Sequence, residues 1–228
     1  MTASSTQISP TESLETLPQW RPATWYEYLA YRDEDTPLRR RLFFHDGYLL
    51  VHDMTGEGIN HASFADLFTM IFAFWFMQNP EQLFSSFGRC LLEKEPLRAG
   101  APDLVLYLGN DYPRWQEGEP RRINLHQWRV PNLVGEIGDT TLATDLDEKK
   151  KLYAAMEIPE YWVINVRGKQ VFAFQLQADG MYQQIDRSLV LEGLPISLLE
   201  QTLAMLESGT NGSAAMWFSQ QLTQLKVD

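Results

Sequence analysis

A chain of 228 residues with a formal charge of -11, 44% hydrophobic and 12% aromatic residues has the material for one buried core: one domain, or one domain with appendages. The acidic balance excludes a protein that coats nucleic acid indiscriminately, because phosphate contacts need clustered Lys and Arg. A single cysteine, Cys90, excludes an internal disulfide framework and fits a reducing, cytoplasmic compartment.

The N-terminus has no basic region followed by an apolar core, so no signal peptide is expected. The most apolar run, residues 62–77, is broken by Asp66 and falls short of the roughly 20 residues a membrane span needs. A soluble protein without membrane association is the expectation.

Residues 1–19 are polar and Ser/Thr-rich and read as a disordered leader. Residues 24–33 predict a short helix with Thr24 as N-cap. Residues 40–44 and 48–54 predict two strands around His45-Asp46-Gly47, a hairpin signal. Residues 60–78 give the longest helical pattern. His61, Phe64, Phe68, Ile71 and Trp75 share one face, widened by Leu67, Phe72 and Phe76, so this helix is expected to lie buried against a sheet. His61, in the first turn of the inward face, is either a packing histidine or a site residue.

Residues 84–92 and 104–107 predict further strands, the second preceded by Ala101-Pro102-Asp103. Residues 109–120 form a loop. Residues 134–166 then read as strand, polar turn, helix (about 142–157) and second strand, a βαβ-like unit with Glu136 in its first strand. On the helix, Leu142, Leu146, Tyr153 and Met156 form one stripe with Lys149 in its middle, Lys150 at its edge and Lys151 opposite. A lysine directed inward needs a partner, because burying an unpaired ammonium is costly. Glu136 is the nearest candidate, and the two form either a structural ion pair or part of a metal-dependent catalytic site.

Beyond this unit, residues 170–176 pair with 161–166 across Arg167-Gly168-Lys169. Residues 181–186 predict another strand, and 196–207 and 214–227 two helices. The last helix packs on its own domain or on a partner subunit.

Asp103, Glu136 and Lys149 have the composition for phosphodiester hydrolysis. Two carboxylates on neighbouring strands can hold Mg²⁺ through one oxygen each, leaving positions for waters and phosphate. A lysine beside them can orient the attacking water or stabilise charge on the phosphate. The bland alternative is a solvated turn plus an ion pair. Arg39-Arg40-Arg41, Arg121-Arg122 and Lys149-Lys150-Lys151 either face a phosphate backbone or form solvated surface, and the tryptophans either stack bases or fill core and interface.

The segments Arg98-Ala-Gly-Ala-Pro-Asp103-Leu-Val-Leu-Tyr, Leu133-Val-Gly-Glu136-Ile and Asp145-Leu-Asp-Glu-Lys149-Lys-Lys-Leu-Tyr153-Ala-Ala-Met-Glu-Ile-Pro-Glu-Tyr-Trp162 resemble the Uma-type putative restriction endonuclease family of bacteria, within the PD-(D/E)XK nuclease superfamily. The resemblance runs from about Trp25 to Leu176. It implies an α/β fold with a restriction-endonuclease-like central mixed sheet flanked by helices. It implies Asp103 and Glu136 as ligands of Mg²⁺ (or Mn²⁺), and Lys149 as a catalytic lysine moved onto the helix, Gly138 standing where the superfamily usually has its lysine. DNA as substrate and a homodimeric assembly follow from the same resemblance.

One turn departs from the family: a Leu-Ser-Pro-Ser-Thr-like stretch is replaced by Gly138-Asp139-Thr140-Thr141. Asp139 is therefore either an added ligand or the mark of a member that no longer cleaves. Asp145 and Tyr153 match family positions, Asp145 as an i, i+4 partner of Lys149. The expected organisation is a leader at 1–19, a restriction-endonuclease-like domain at 20–190 and a C-terminal helical extension at 191–228. The expected function is a Mg²⁺-dependent endonuclease acting on DNA, the alternative an inactive binding or assembly protein on a nuclease scaffold.

Overall fold

The computed structural model describes residues 19–36, 39–54 and 58–225, so the leader read at residues 1–19 lies, apart from Gln19, outside the described residues. After β1 (Arg21–Pro22), α1 (Trp25–Asp33) starts with a capping box. The Glu27 amide donates to Thr24 Oγ1 at 3.2 Å and the Thr24 amide to Glu27 Oε2 at 2.6 Å, satisfying two donors left open by the helix start. In the hairpin of β2 (Arg39–His45) and β3 (Tyr48–Met54), Asp46 and Gly47 adopt φ of 47° and 77°. Two residues in that region give the turn whose twist matches the flanking strands.

Next come α2 (Ile59–Gln78), β4 (Phe84–Phe87), β5 (Leu92–Lys94), β6 (Arg98–Gly100) and β7 (Leu104–Leu108). The single strand expected over residues 84–92 is thus two strands in different sheets. Arg89, at φ 61°, breaks the extended run, and its amide donates to the Pro102 carbonyl at 3.0 Å, turning the chain from one sheet to the other.

The chain continues through β8 (Ile123–Asn124), β9 (Leu133–Gly138), α3 (Leu142–Leu146), α4 (Glu148–Ala155), β10 (Glu160–Asn165), β11 (Gln170–Leu176), β12 (Tyr182–Ile185), α5 (Ile196–Ala204) and α6 (Asn211–Leu225). The one helix expected at 142–157 is therefore two. Asp147, at φ -117° and ψ -81°, ends the first and begins the second, as Asp leaves helical geometry more readily than a straight-chain residue.

The main sheet has the order β12-β11-β10-β9-β7-β4, with β10 parallel to β9 and the remaining pairs antiparallel. A second mixed sheet, β1-β3-β2-β6-β5-β8, brings β2 toward α4. On one face of the main sheet Leu104, Leu133, Trp162 and Ile164 pack against α2, α5 and α6. On the other, Val105, Val134 and Val163 meet Leu152, Tyr153 and Met156, together with Phe43 from β2. Covered on both faces, β9 and β10 read as nearly continuous apolar runs.

Phe68 and Phe72 flank the Trp162 ring at 6.1 and 6.2 Å, each such buried ring contributing about 1.5–3 kcal/mol. The C-terminal helices complete the same core: Ala214, Phe218 and Leu222 of α6 share a cluster with Phe64 and Phe68 of α2, so the last helix packs on its own chain. No helix among the described residues is long and apolar enough to cross a membrane.

Candidate active site

Strand register explains how two acids far apart in sequence meet. Leu104 pairs with Gly135 in the antiparallel β7–β9 ladder. One step further along this register puts Asp103 opposite Glu136, with both side chains on the α4 face, since opposite residues of an antiparallel pair share a face. Asp103 and Glu136 are 2% and 1% exposed. The Ile137 amide donates to Asp103 Oδ2 at 2.8 Å and fixes that carboxylate against β9.

Three residues complete the cluster from the helices: Asp145 is the penultimate residue of α3, and Lys149 and Tyr153 share one face of α4 as an i, i+4 pair. Lys149 Nζ lies 3.0 Å from Glu136 Oε2 and 2.8 Å from Asp145 Oδ1. Tyr153 Oη donates to the other oxygen of Glu136. Thr141 Oγ1 donates to Asp145 Oδ2 at 2.7 Å, which orients that acid toward the lysine. His61 Nε2, at the start of α2, lies 3.3 Å from Asp103 Oδ2.

Gly138 packs closely against the first helix turn that follows it. A Cβ at position 138 would sit 2.9 Å from Asp145 Oδ2 and 3.2 Å from the Leu142 Cα. The strand position has no room for a side chain, and Lys149 reaches Glu136 from the helix instead. Asp139 stands apart from this cluster, paired with Arg167 at 3.1 Å. The other two lysines of the run also lie elsewhere: Lys150 rests over the Phe174 ring and Lys151 pairs with Asp147 at the surface.

The structure adds Arg41, which the sequence shows only as part of a basic run. Arg41, 7% exposed, places Nη1 2.7 Å from Asp103 Oδ1 and Nη2 3.1 Å from Glu136 Oε2, and its Nε donates to the Ala101 carbonyl at 3.0 Å. One guanidinium thus bridges the two carboxylates. The signal was present in the alternation of β2: Arg41 shares its face with Phe43, whose ring lies 4.3 Å from Lys149 Nζ. His52, opposite Arg41 in the hairpin, borders the site as well.

The two acids are pushed apart electrostatically. Burial works against the Asp103 carboxylate, but Arg41, His61 and the Ile137 amide overcome it and hold the group well below the usual carboxylate range. For Glu136 burial dominates despite Lys149 and Arg41, and its pKa is pushed up to about 7. Burial disfavours the Lys149 ammonium, but Glu136 and Asp145 outweigh it and raise its pKa, so this lysine stays charged at neutral pH. Burial, then Glu136, raises Tyr153 well above the usual tyrosine range, keeping it a proton donor.

Two facing carboxylates are hard oxygen donors of the kind Mg²⁺ takes one or two of, with waters and phosphate filling its octahedron. Among the described residues no group of three or more His, Cys, Asp or Glu could hold a metal ion. The two carboxylates could serve as an open two-donor site only if Arg41 turned away from the oxygens it bridges.

A search of curated proteins finds no match. Among solved structures, a protein from Anabaena variabilis ATCC 29413 described as a putative nuclease belonging to DUF820 superposes with a TM-score of 0.55 at 17% identity. The match covers 80% of this chain and 99% of that one, a likeness of fold. The model of the Uma2 family, described as putative restriction endonuclease, matches residues 25–210, a span that holds the hairpin, both carboxylates and the lysine helix: the chain belongs to the Uma2 putative restriction endonuclease family.

Proposed function

We propose that the protein is a Mg²⁺-dependent endonuclease that hydrolyses phosphodiester bonds, with DNA as its substrate. The observation that carries this reading is the convergence of Asp103, Glu136 and Lys149 at one buried point, with Lys149 Nζ 3.0 Å from Glu136. Asp103 and Glu136 are the residues that would hold the metal. When bound, Mg²⁺ (or Mn²⁺) supplies positive charge to phosphoryl oxygens and lowers the pKa of an attacking water.

The chain's own residues have distinct parts. Lys149, kept protonated by Glu136 and Asp145, donates hydrogen bonds and charge and does not act as a base. Asp103 stays ionised as a fixed oxygen donor. Glu136, its pKa pushed up to about 7 by burial, would release its proton on taking the metal, so metal binding should strengthen as pH rises through neutrality. Tyr153 and the Asp145–Thr141 pair hold Glu136 and Lys149 in place. A homodimer is the assembly we favour, and a reducing, cytoplasmic setting fits the lone thiol of Cys90.

One observation favours the second reading, a non-cleaving binding or assembly protein: the Arg41 guanidinium already pairs with both acids. The test is incubation of the wild type and Lys149→Ala with duplex and single-stranded DNA in Mg²⁺ or Mn²⁺, with EDTA as control. Metal-dependent cutting lost in the variant supports the nuclease. No cutting on any substrate supports the binding protein. Light scattering of the same preparations decides the dimer.

A further inference from the structure

A second site lies on the other side of the turn that leads into Asp103. The long loop between β7 and β8 folds back on the end of β4 and encloses a pocket of about 610 Å³. That is within the roughly 300–1,000 Å³ range of small-molecule sites. Three aromatic residues, Phe87, Trp115 and Trp128, and three arginines, Arg114, Arg121 and Arg122, line it, against one carboxylate, Glu119. In a chain of formal charge -11, this is a local reversal of sign.

The pocket is built and held. Trp115 Nε1 donates to the Glu119 carbonyl at 2.8 Å, and the Gln116 amide donates to the Glu119 carboxylate at 2.9 Å, which closes the loop on itself. The Arg121 guanidinium stacks over the Trp115 ring, 5.5 Å from its centroid, and Trp115 as a residue is 55% exposed. Arg122 is anchored by its ion pair to buried Glu93, and that acid is also held by Arg32 at 3.0 Å. The opposite wall is tied to the active-site strand: Phe87 pairs with Val105, two residues past Asp103, and the Arg89 amide donates to the Pro102 carbonyl.

Exposed aromatic faces beside guanidinium groups are the chemistry that holds an unpaired nucleotide. The base stacks on a ring and the phosphate meets the cations, without reading sequence, because every base has a π-face. A base inside a duplex has its faces covered by its neighbours, so a pocket of this size accepts a nucleotide only once it is unstacked. We infer that the Trp115–Trp128–Arg121 pocket, whose Phe87 wall pairs with the strand that follows Asp103, binds one unpaired nucleotide. That this nucleotide comes from the strand being cut rests on the nuclease reading; the stacking and charge chemistry does not.

The experiment measures binding in EDTA, where no cleavage is needed. Fluorescence anisotropy of an end-labelled single-stranded oligonucleotide and of its blunt duplex is compared for the wild type, Trp115→Ala and Arg121→Gln. Both positions are on the loop surface, and circular dichroism confirms that the variants fold. The single strand is expected to bind the wild type more tightly than the duplex does, and Trp115→Ala to weaken single-strand binding about 5- to 100-fold. Competition by dAMP that disappears in Trp115→Ala shows that a free nucleotide enters by the same contacts, and also supports the site.

Single-strand binding unchanged in both variants, no binding by the wild type, or competition by inorganic phosphate equal to that by dAMP overturns it. Trp115-dependent binding without cleavage on any substrate removes the nuclease reading and leaves this site standing. Cleavage and binding that are both indifferent to Trp115 and Arg121 do the reverse.

Discussion

Arg41 and Asp103 form an ion pair of 2.7 Å with both side chains buried, and the same guanidinium reaches Glu136 at 3.1 Å. A cation therefore already sits between the two acids that are proposed to hold a metal. Removing one partner of a buried pair leaves uncompensated charge, so Arg41→Met is expected to lose about 3–5 kcal/mol in EDTA. Mn²⁺ should then raise the melting temperature of the variant more than that of the wild type, since the ion takes the vacated place. Thermal melts in EDTA and in graded Mn²⁺ check this. Equal responses of the two proteins would show that Arg41 and the metal do not compete.

Gly138 makes a second prediction. Its missing side chain leaves room for the Asp145 carboxylate, so Gly138→Ala should destabilise by about 1–3 kcal/mol through overpacking. Moving the lysine back to the strand, as Gly138→Lys in a Lys149→Ala background, should not restore cleavage. Urea denaturation reads the first effect and a plasmid-nicking assay the second. Recovery of activity in the double variant would mean that the strand position is open after all.

His52 gives the pH dependence. Burial, then Arg41 and Lys149, hold its pKa below the ordinary histidine value. In the window between the two values the unfolded chain binds more protons, so this contribution is complete above about pH 6.5 and is lost as pH falls below it. Glu136 runs the opposite way: raised to about 7, it costs stability as pH rises toward that value. Comparing the wild type with His52→Gln isolates the histidine. Between about pH 7 and pH 5 the wild type should lose melting temperature relative to the variant. Parallel curves would exclude a half-buried His52 held neutral by its surroundings.

Glu160, in the Pro-Glu-Tyr-Trp stretch, acts through the fold. One carboxylate oxygen accepts from Trp162 Nε1 at 2.6 Å and the other from the Leu189 and Val190 amides at 3.0 and 2.9 Å. The Trp162 ring N–H and the two amides can only donate, so Glu160→Gln turns an NH₂ group toward an N–H and should cost about 1–3 kcal/mol. Urea midpoints measure this, while cleavage per folded molecule should stay unchanged. A variant as stable as the wild type would show that the loop at 188–190 does not depend on this acid.

The local pattern of residues was enough to determine most elements and the inward lysine. Thr24 and Glu27 carry the first helix start, Asp46-Gly47 the hairpin, the Phe64–Phe76 face a buried helix, and the 3.6-residue period directs Lys149 toward Glu136, because these depend on neighbours within a few positions. Tertiary structure decided what depends on partners distant in the chain. The break at Arg89 is set by the Pro102 carbonyl, the seat of Asp103 by its register with Glu136, and the bareness of position 138 by Asp145. Arg41 and the tryptophan–arginine pocket belong to the same class: a run of arginines or a scattered tryptophan looks alike in sequence whether it faces water or a site. Only packing of one sheet against another fixes which, since burial and charge pairing are properties of the space between segments.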